Sequence, residues 1–161
     1  MVAVIAHALA VIRRDVFGQD ANPGQAAAAA LFHDASEIFT GDMPTPIKYF
    51  NRDIKAAYRQ VEAMASLKLL STLPAKIRPT YEMLLSPSEI EEMPLVKAAD
   101  KLAAYIKCLD ELKAGNLEFR PAAEQSLRKL NAFGMPEVDY FMEHFIPAFE
   151  LTLDELDFSF D

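Results

Sequence analysis

At 161 residues the chain has the length of a single domain, 1–161, and its 52% hydrophobic content is enough to fill a substantial core. A net charge of −8 excludes the basic face that binding a nucleic-acid polymer requires, although one nucleotide could still be held by a metal and a few local cations. The single cysteine, Cys108, rules out an internal disulfide and fits a reducing compartment.

Five glycines and the absence of alternating valine–isoleucine runs favour an all-α domain. The apolar run Met1 to Ile12 has no basic segment before it and is too short to span a bilayer, so a buried helix is expected and the protein is placed in the cytoplasm. Val2, Ile5, Leu9, Ile12 and Val16 follow helical spacing, which carries the first helix to about Phe17. Its pattern starts at full strength on the first residues with no capping residue ahead, as if the sequence opened inside a helix. Asn22-Pro23-Gly24-Gln25 reads as an N-cap, a proline at N1 and a glutamine at N3, a variant capping box. The second helix is predicted from there to about Phe39, stopped by Thr40-Gly41, with Ala26 to Ala30 allowing close approach of a neighbour.

Gly41 to Lys48 is predicted as a loop stiffened by Pro44 and Pro46. Ile54, Tyr58, Val61, Ala65 and Leu69 mark a third helix from about Tyr49 to Thr72. A short helix from Pro74 to Leu85 follows, then a second capping box in Ser88-Glu89-Ile90-Glu91. Leu95, Ala99, Leu102, Ile106 and Leu109 mark the next long helix, which Gly115-Asn116 caps. Two more helices are expected at about Phe119 to Phe133 and Pro136 to Phe149, with an acidic tail from Leu151. His7 lies opposite the first apolar stripe, and His144 lies on an aromatic helix. His144 is read as a structural histidine.

The chemistry concentrates in Leu31-Phe32-His33-Asp34-Ala35-Ser36-Glu37. A helix places i, i+3 and i+4 on one side, so His33, Asp34 and Glu37 point roughly together. An imidazole and two carboxylates at the end of an apolar helix are costly unless compensated, and a divalent cation would compensate them. The alternative is an exposed helix end with solvated charges. Asp100 sits mid-helix among Val96, Ala103 and Ala104. It is either an inward-pointing ligand or a surface aspartate paired with Lys97.

His33-Asp34 together with Val96-Lys97-Ala98-Ala99-Asp100 resembles the HD-domain metal-dependent phosphohydrolases. HDASE, followed by Thr40-Gly41-Asp42-Met43-Pro44-Thr45-Pro46-Ile47-Lys48-Tyr49-Phe50 and by Tyr105-Ile106-Lys107-Cys108-Leu109, is similar to the bacterial 5'-deoxynucleotidase branch across essentially the whole chain. That resemblance implies an HD-domain bundle of about six or seven helices and hydrolysis of deoxyribonucleoside 5'-monophosphates. It implies one divalent transition metal (Co, Mn, Fe or Zn) on His33, Asp34 and Asp100, with Glu37 essential to turnover. Asp42 is assigned to the sugar 3'-hydroxyl, Thr45 and Pro46 to the pocket wall, and Lys48 to the phosphate or to solvent. Lys97 is placed either near the phosphate or on Asp100. The family's first histidine ligand, in a Glu-His-Ser segment, has no counterpart here and would align before Met1, so His7 is not that ligand. The resemblance further implies a homodimer. Two other readings stand beside it: an HD phosphohydrolase acting on another nucleotide ester, and a truncated, non-catalytic helical binding module.

Overall fold

The computed structural model describes residues 1–48, 50–85, 90–152 and 155, with the side chains of Thr45 and Pro46 left out. Every regular element among the described residues is helical. In chain order they are α1 (Val2–Val11), α2 (Pro23–Phe32), α3 (Glu37–Thr40), α4 (Thr45–Lys48), α5 (Arg52–Ser71), α6 (Arg78–Leu84), α7 (Met93–Lys113), α8 (Arg120–Asn131), α9 (Pro136–His144) and α10 (Ile146–Glu150).

The core is built where α1, α2 and α7 meet. Each presents small residues there: Ala6 and Ala10 from α1, Ala26, Ala29 and Ala30 from α2, and Ala98 and Ala99 from α7, all buried. Without bulky side chains the backbones can approach closely, and Leu9, Leu95, Leu102 and Ile106 fill the remaining space. Helix α7, at 21 residues, is the central post, and α1, α2, α8 and α10 all pack on it.

The first predicted stripe is only partly buried. Ile5, Leu9 and Ile12 are inside, whereas Val16 is exposed. The reason is a change of winding. From Ile12 to Val16 the helix loosens to a π turn, with Phe17 N–H donating to the Ile12 carbonyl. That shift aims Arg13 at α9, where its guanidinium pairs with the fully buried carboxylate of Glu137.

Asn22 caps α2 as expected, its side-chain oxygen accepting from Gln25 N–H at 3.0 Å. The reciprocal arm of the box differs. The Asn22 N–H donates not to Gln25 but to Oε1 of buried Glu92, 3.0 Å away beside the start of α7. The second helix also ends sooner than predicted, at Phe32, and resumes as α3 after a stretch of turns. The predicted loop after Gly41 contains the short α4. Gly41, at φ 66°, makes the left-handed stop after α3, and Tyr58 Oη of α5 donates to its carbonyl at 3.2 Å. Gly115, at φ 87°, ends α7 in the same way. The second capping box, at Ser88 and Glu89, and most of the tail lie outside the described residues.

Candidate metal and substrate site

The interruption after Phe32 shapes the site. The Ala30 carbonyl is met by the His33 ring, Nδ1 lying 2.8 Å from it. Downstream, N–H groups reach back three residues rather than four: Ala35 to Phe32, Glu37 to Asp34, and Ile38 to Ala35. Three-residue turns align side chains at i and i+3, so His33 stacks over Ser36, and Asp34 over Glu37.

With Nδ1–H committed to a carbonyl, the imidazole turns Nε2 the other way. That atom is buried and has no hydrogen-bond partner. It lies 2.9 Å from Asp34 Oδ2 and 3.9 Å from Asp100 Oδ1. In the neutral tautomer fixed by Ala30, three acceptors therefore face one another, a conflict that a cation relieves. A proton is one solution. The carboxylates, Asp100 foremost and then Asp34, pull the His33 pKa up from 6.5 to about 10, while Asp100 is held below the usual carboxylate range by His33. A metal is the other solution. Donors bonded at about 2.1 Å to one ion stand roughly 3–4 Å apart, the spacing seen from Nε2 to both carboxylates. Among the described residues no three such side chains form a preassembled cage. His33, Asp34 and Asp100 lie near one another, with about half of each aspartate side chain in solvent.

Glu37, one turn past Asp34, has its pKa raised, first by burial and then by the charges of Asp34 and Asp42. Asp42 is exposed. Lys48 Nζ pairs with Glu62 Oε1 at 2.8 Å and rests over the Tyr58 ring at 4.7 Å. Asp100 makes no pair with Lys97. Among the described residues Lys97 has no ion pair and lines a cavity instead. Whether Thr45 and Pro46 line the pocket falls outside the described side chains. His7 is exposed, and His144 packs against the Tyr140 ring at 4.2 Å.

The cavity, about 670 Å³, starts at His33 and Ser36 and runs between α5, α6 and α7. Its size suits a nucleotide. Phe32, Leu70, Leu85 and Met93 supply apolar wall, and Arg59, Glu62, Ser66 and Lys97 supply polar groups. Arg59 was not singled out in the sequence. The available signal was the polar series Arg59, Glu62, Ser66 at helical spacing on α5.

The sequence model for the YfbR-like 5'-deoxynucleotidase family matches residues 1–149. The chain belongs to the YfbR-like 5'-deoxynucleotidase family. Among its YfbR-like relatives, a 5'-deoxynucleotidase of Pectobacterium atrosepticum is 48% identical over 157 residues, covering 96% of this chain and 79% of that protein. The 5'-deoxynucleotidase YfbR of Escherichia coli is 46% identical over the same length, again 96% of this chain and 79% of the relative. A crystal structure of an HD-domain phosphohydrolase from Listeria innocua superposes with a TM-score of 0.75 at 26% identity, covering 92% of this chain and 72% of that one. The expected all-α HD-domain bundle is thereby borne out, as is the likeness to the 5'-deoxynucleotidase branch.

Proposed function

We propose that this protein is a metal-dependent phosphomonoesterase that hydrolyses deoxyribonucleoside 5'-monophosphates to deoxyribonucleoside and phosphate. The observation that carries the reading is the orphaned Nε2 of His33, which faces two carboxylates while His33 itself lines a nucleotide-sized cavity, in a chain whose relatives are named 5'-deoxynucleotidases.

His33, Asp34 and Asp100 are the ligands in this proposal. An imidazole and two carboxylates suit Mn, Co, Fe or Zn. When bound, such an ion polarises a phosphoryl oxygen and lowers the pKa of a water. The protein supplies the rest. Ala30 fixes the His33 tautomer, so Nε2 presents a lone pair. Glu37 sits one turn on and orients the attacking water or passes a proton to the leaving O5'. Burial raises its pKa, the direction a proton donor needs. Asp42 accepts from the sugar 3'-hydroxyl, and Thr45, Pro46 and Lys48 are assigned to the substrate side. The Lys48–Glu62 ion pair favours a supporting role for Lys48.

We assign a homodimer and a cytoplasmic location on the same reading. Leu31 and Ile38 are exposed around an apolar depression that also includes Leu69, which fits contact with a second copy. No helix among the described residues is long and apolar enough to cross a membrane.

The test is phosphate release by the purified, Mn- or Co-supplemented protein from dAMP, AMP, dATP and a cyclic dinucleotide. Release from dAMP well above AMP is expected. Equal rates on dAMP and AMP would remove the deoxy assignment, and preference for dATP or the cyclic compound would move the protein to another phosphohydrolase class. Metal-free protein, with no rate difference between wild type and Glu37→Ala, would favour a binding module.

A further inference from the structure

We infer that Lys97 and Arg59 form a two-sided clamp for the substrate's phosphate, resting on the phosphomonoesterase reading above. Both line the cavity that begins at His33 and Ser36. Lys97 lies on α7 three residues before Asp100, one helical turn from that ligand candidate and on the same flank. Arg59 comes from α5, the opposite wall. His33 lines the same cavity, so a phosphate held there through an ion would lie within reach of both walls.

The local charge balance makes the two cations available. Glu62, one turn from Arg59 on α5, would otherwise be its natural partner. Instead Glu62 is taken by Lys48 at 2.8 Å. Neither Arg59 nor Lys97 has an ion-pair partner within 4.0 Å among the described residues, although Glu82 also lines the cavity. In a chain of net charge −8 the long-range field repels a phosphate monoester, so two local cations decide whether it can dwell there. The guanidinium adds fork geometry suited to two phosphate oxygens, and the ammonium adds a point charge. Lys48, the cation nearest the motif in sequence, thus acts one step removed: it neutralises Glu62 and leaves Arg59 for the ligand.

Binding of inorganic phosphate and of dAMP, measured by calorimetry on the metal-supplemented protein, tests the clamp separately from turnover. Arg59→Met and Lys97→Met should each weaken phosphate about tenfold or more, the usual loss for a hydrogen bond to a charged group. Arg59→Lys and Lys97→Arg should recover part of it, and deoxyadenosine, which lacks the phosphate, should bind all variants equally. In assays the loss should fall on KM more than on kcat. Unchanged phosphate affinity in both Met variants overturns the clamp, as does an equal loss for deoxyadenosine. A wild type that binds phosphate through these residues but does not hydrolyse dAMP overturns the nucleotidase reading and leaves the clamp standing.

Discussion

Loading the site with metal should expel a proton, because His33 Nε2 can hold one or the other but not both. The Nδ1–H is committed to the Ala30 carbonyl, so the exchange occurs at Nε2, between Asp34 and Asp100. In metal-free protein those carboxylates hold the imidazolium to a pKa of about 10, against 6.5 for an unperturbed histidine. The sign follows directly. Because the folded pKa is raised, the proton's stabilising contribution is fully present below about 6.5 and is lost as the pH rises through about 10. A metal ion competes with that proton, so its apparent affinity should climb about tenfold per pH unit across the same window. At pH 7.5 the difference of 2.5 units from a pKa of about 10 places affinity roughly 300-fold below its plateau. Solvent at the half-exposed aspartates screens the pair and brings this to on the order of 100-fold. Calorimetric titration of Mn or Co in two buffers with different heats of protonation reads the exchange directly: one proton should leave per ion bound. Affinity that stays flat between pH 6.5 and 8.5, with no proton released, would refute Nε2 as the ligand atom.

Arg13→Met strands the fully buried Glu137 carboxylate, and breaking a buried pair costs about 3–5 kcal/mol. Because Arg13 keeps 21% of its side chain in solvent, the lower figure applies. The melting temperature should fall by roughly 6–12 °C, and the paired change with Glu137→Met should recover much of it. Glu37→Gln should reduce turnover by about 10²–10⁴-fold with bound metal unchanged, as loss of an acid–base group does. Since the Glu37 pKa is raised, its ionised form opposes folding, so the same variant should melt slightly higher than wild type at pH 8. A lower melting temperature and lost metal would instead mark Glu37 as structural. Leu31→Lys with Ile38→Lys should convert a dimer to monomer in sedimentation experiments, and an unchanged sedimentation coefficient would count against that surface as the contact.

The apolar stripes carried most of the fold. Ile5 and Leu9 in α1 with Ile12 just after it, and Leu95, Ala99, Leu102 and Ile106 in α7, recur with the helical period, and burial follows it. The Asn22 cap was equally readable, since its partner Gln25 lies three residues away. What escaped was set by partners distant in sequence. Arg13 and Glu137 are 124 positions apart, and nothing local to either announces the other. Glu92 took the Asn22 N–H from 70 residues away, displacing the arm that a local rule assigned to Gln25. The break at His33 arose from a histidine ring meeting a carbonyl in its own helix, a competition that periodicity does not register. For the site, His33, Asp34 and Glu37 were visible as a cluster of chemistry in an apolar setting. Arg59, which stays exposed, gave no local sign of its place at the cavity, because that depends on α5 lying across from α7.

The two walls of the cavity are anchored unequally. Asp100 rides on α7, where nine of 21 residues are buried, whereas Arg59 rides on α5, where three of 20 are. Amide exchange should therefore be quick along α5 and slow along α7. The wall that carries Asp100 should then stay put while the facing wall breathes, so a ligand could enter and leave without disturbing the proposed ion site.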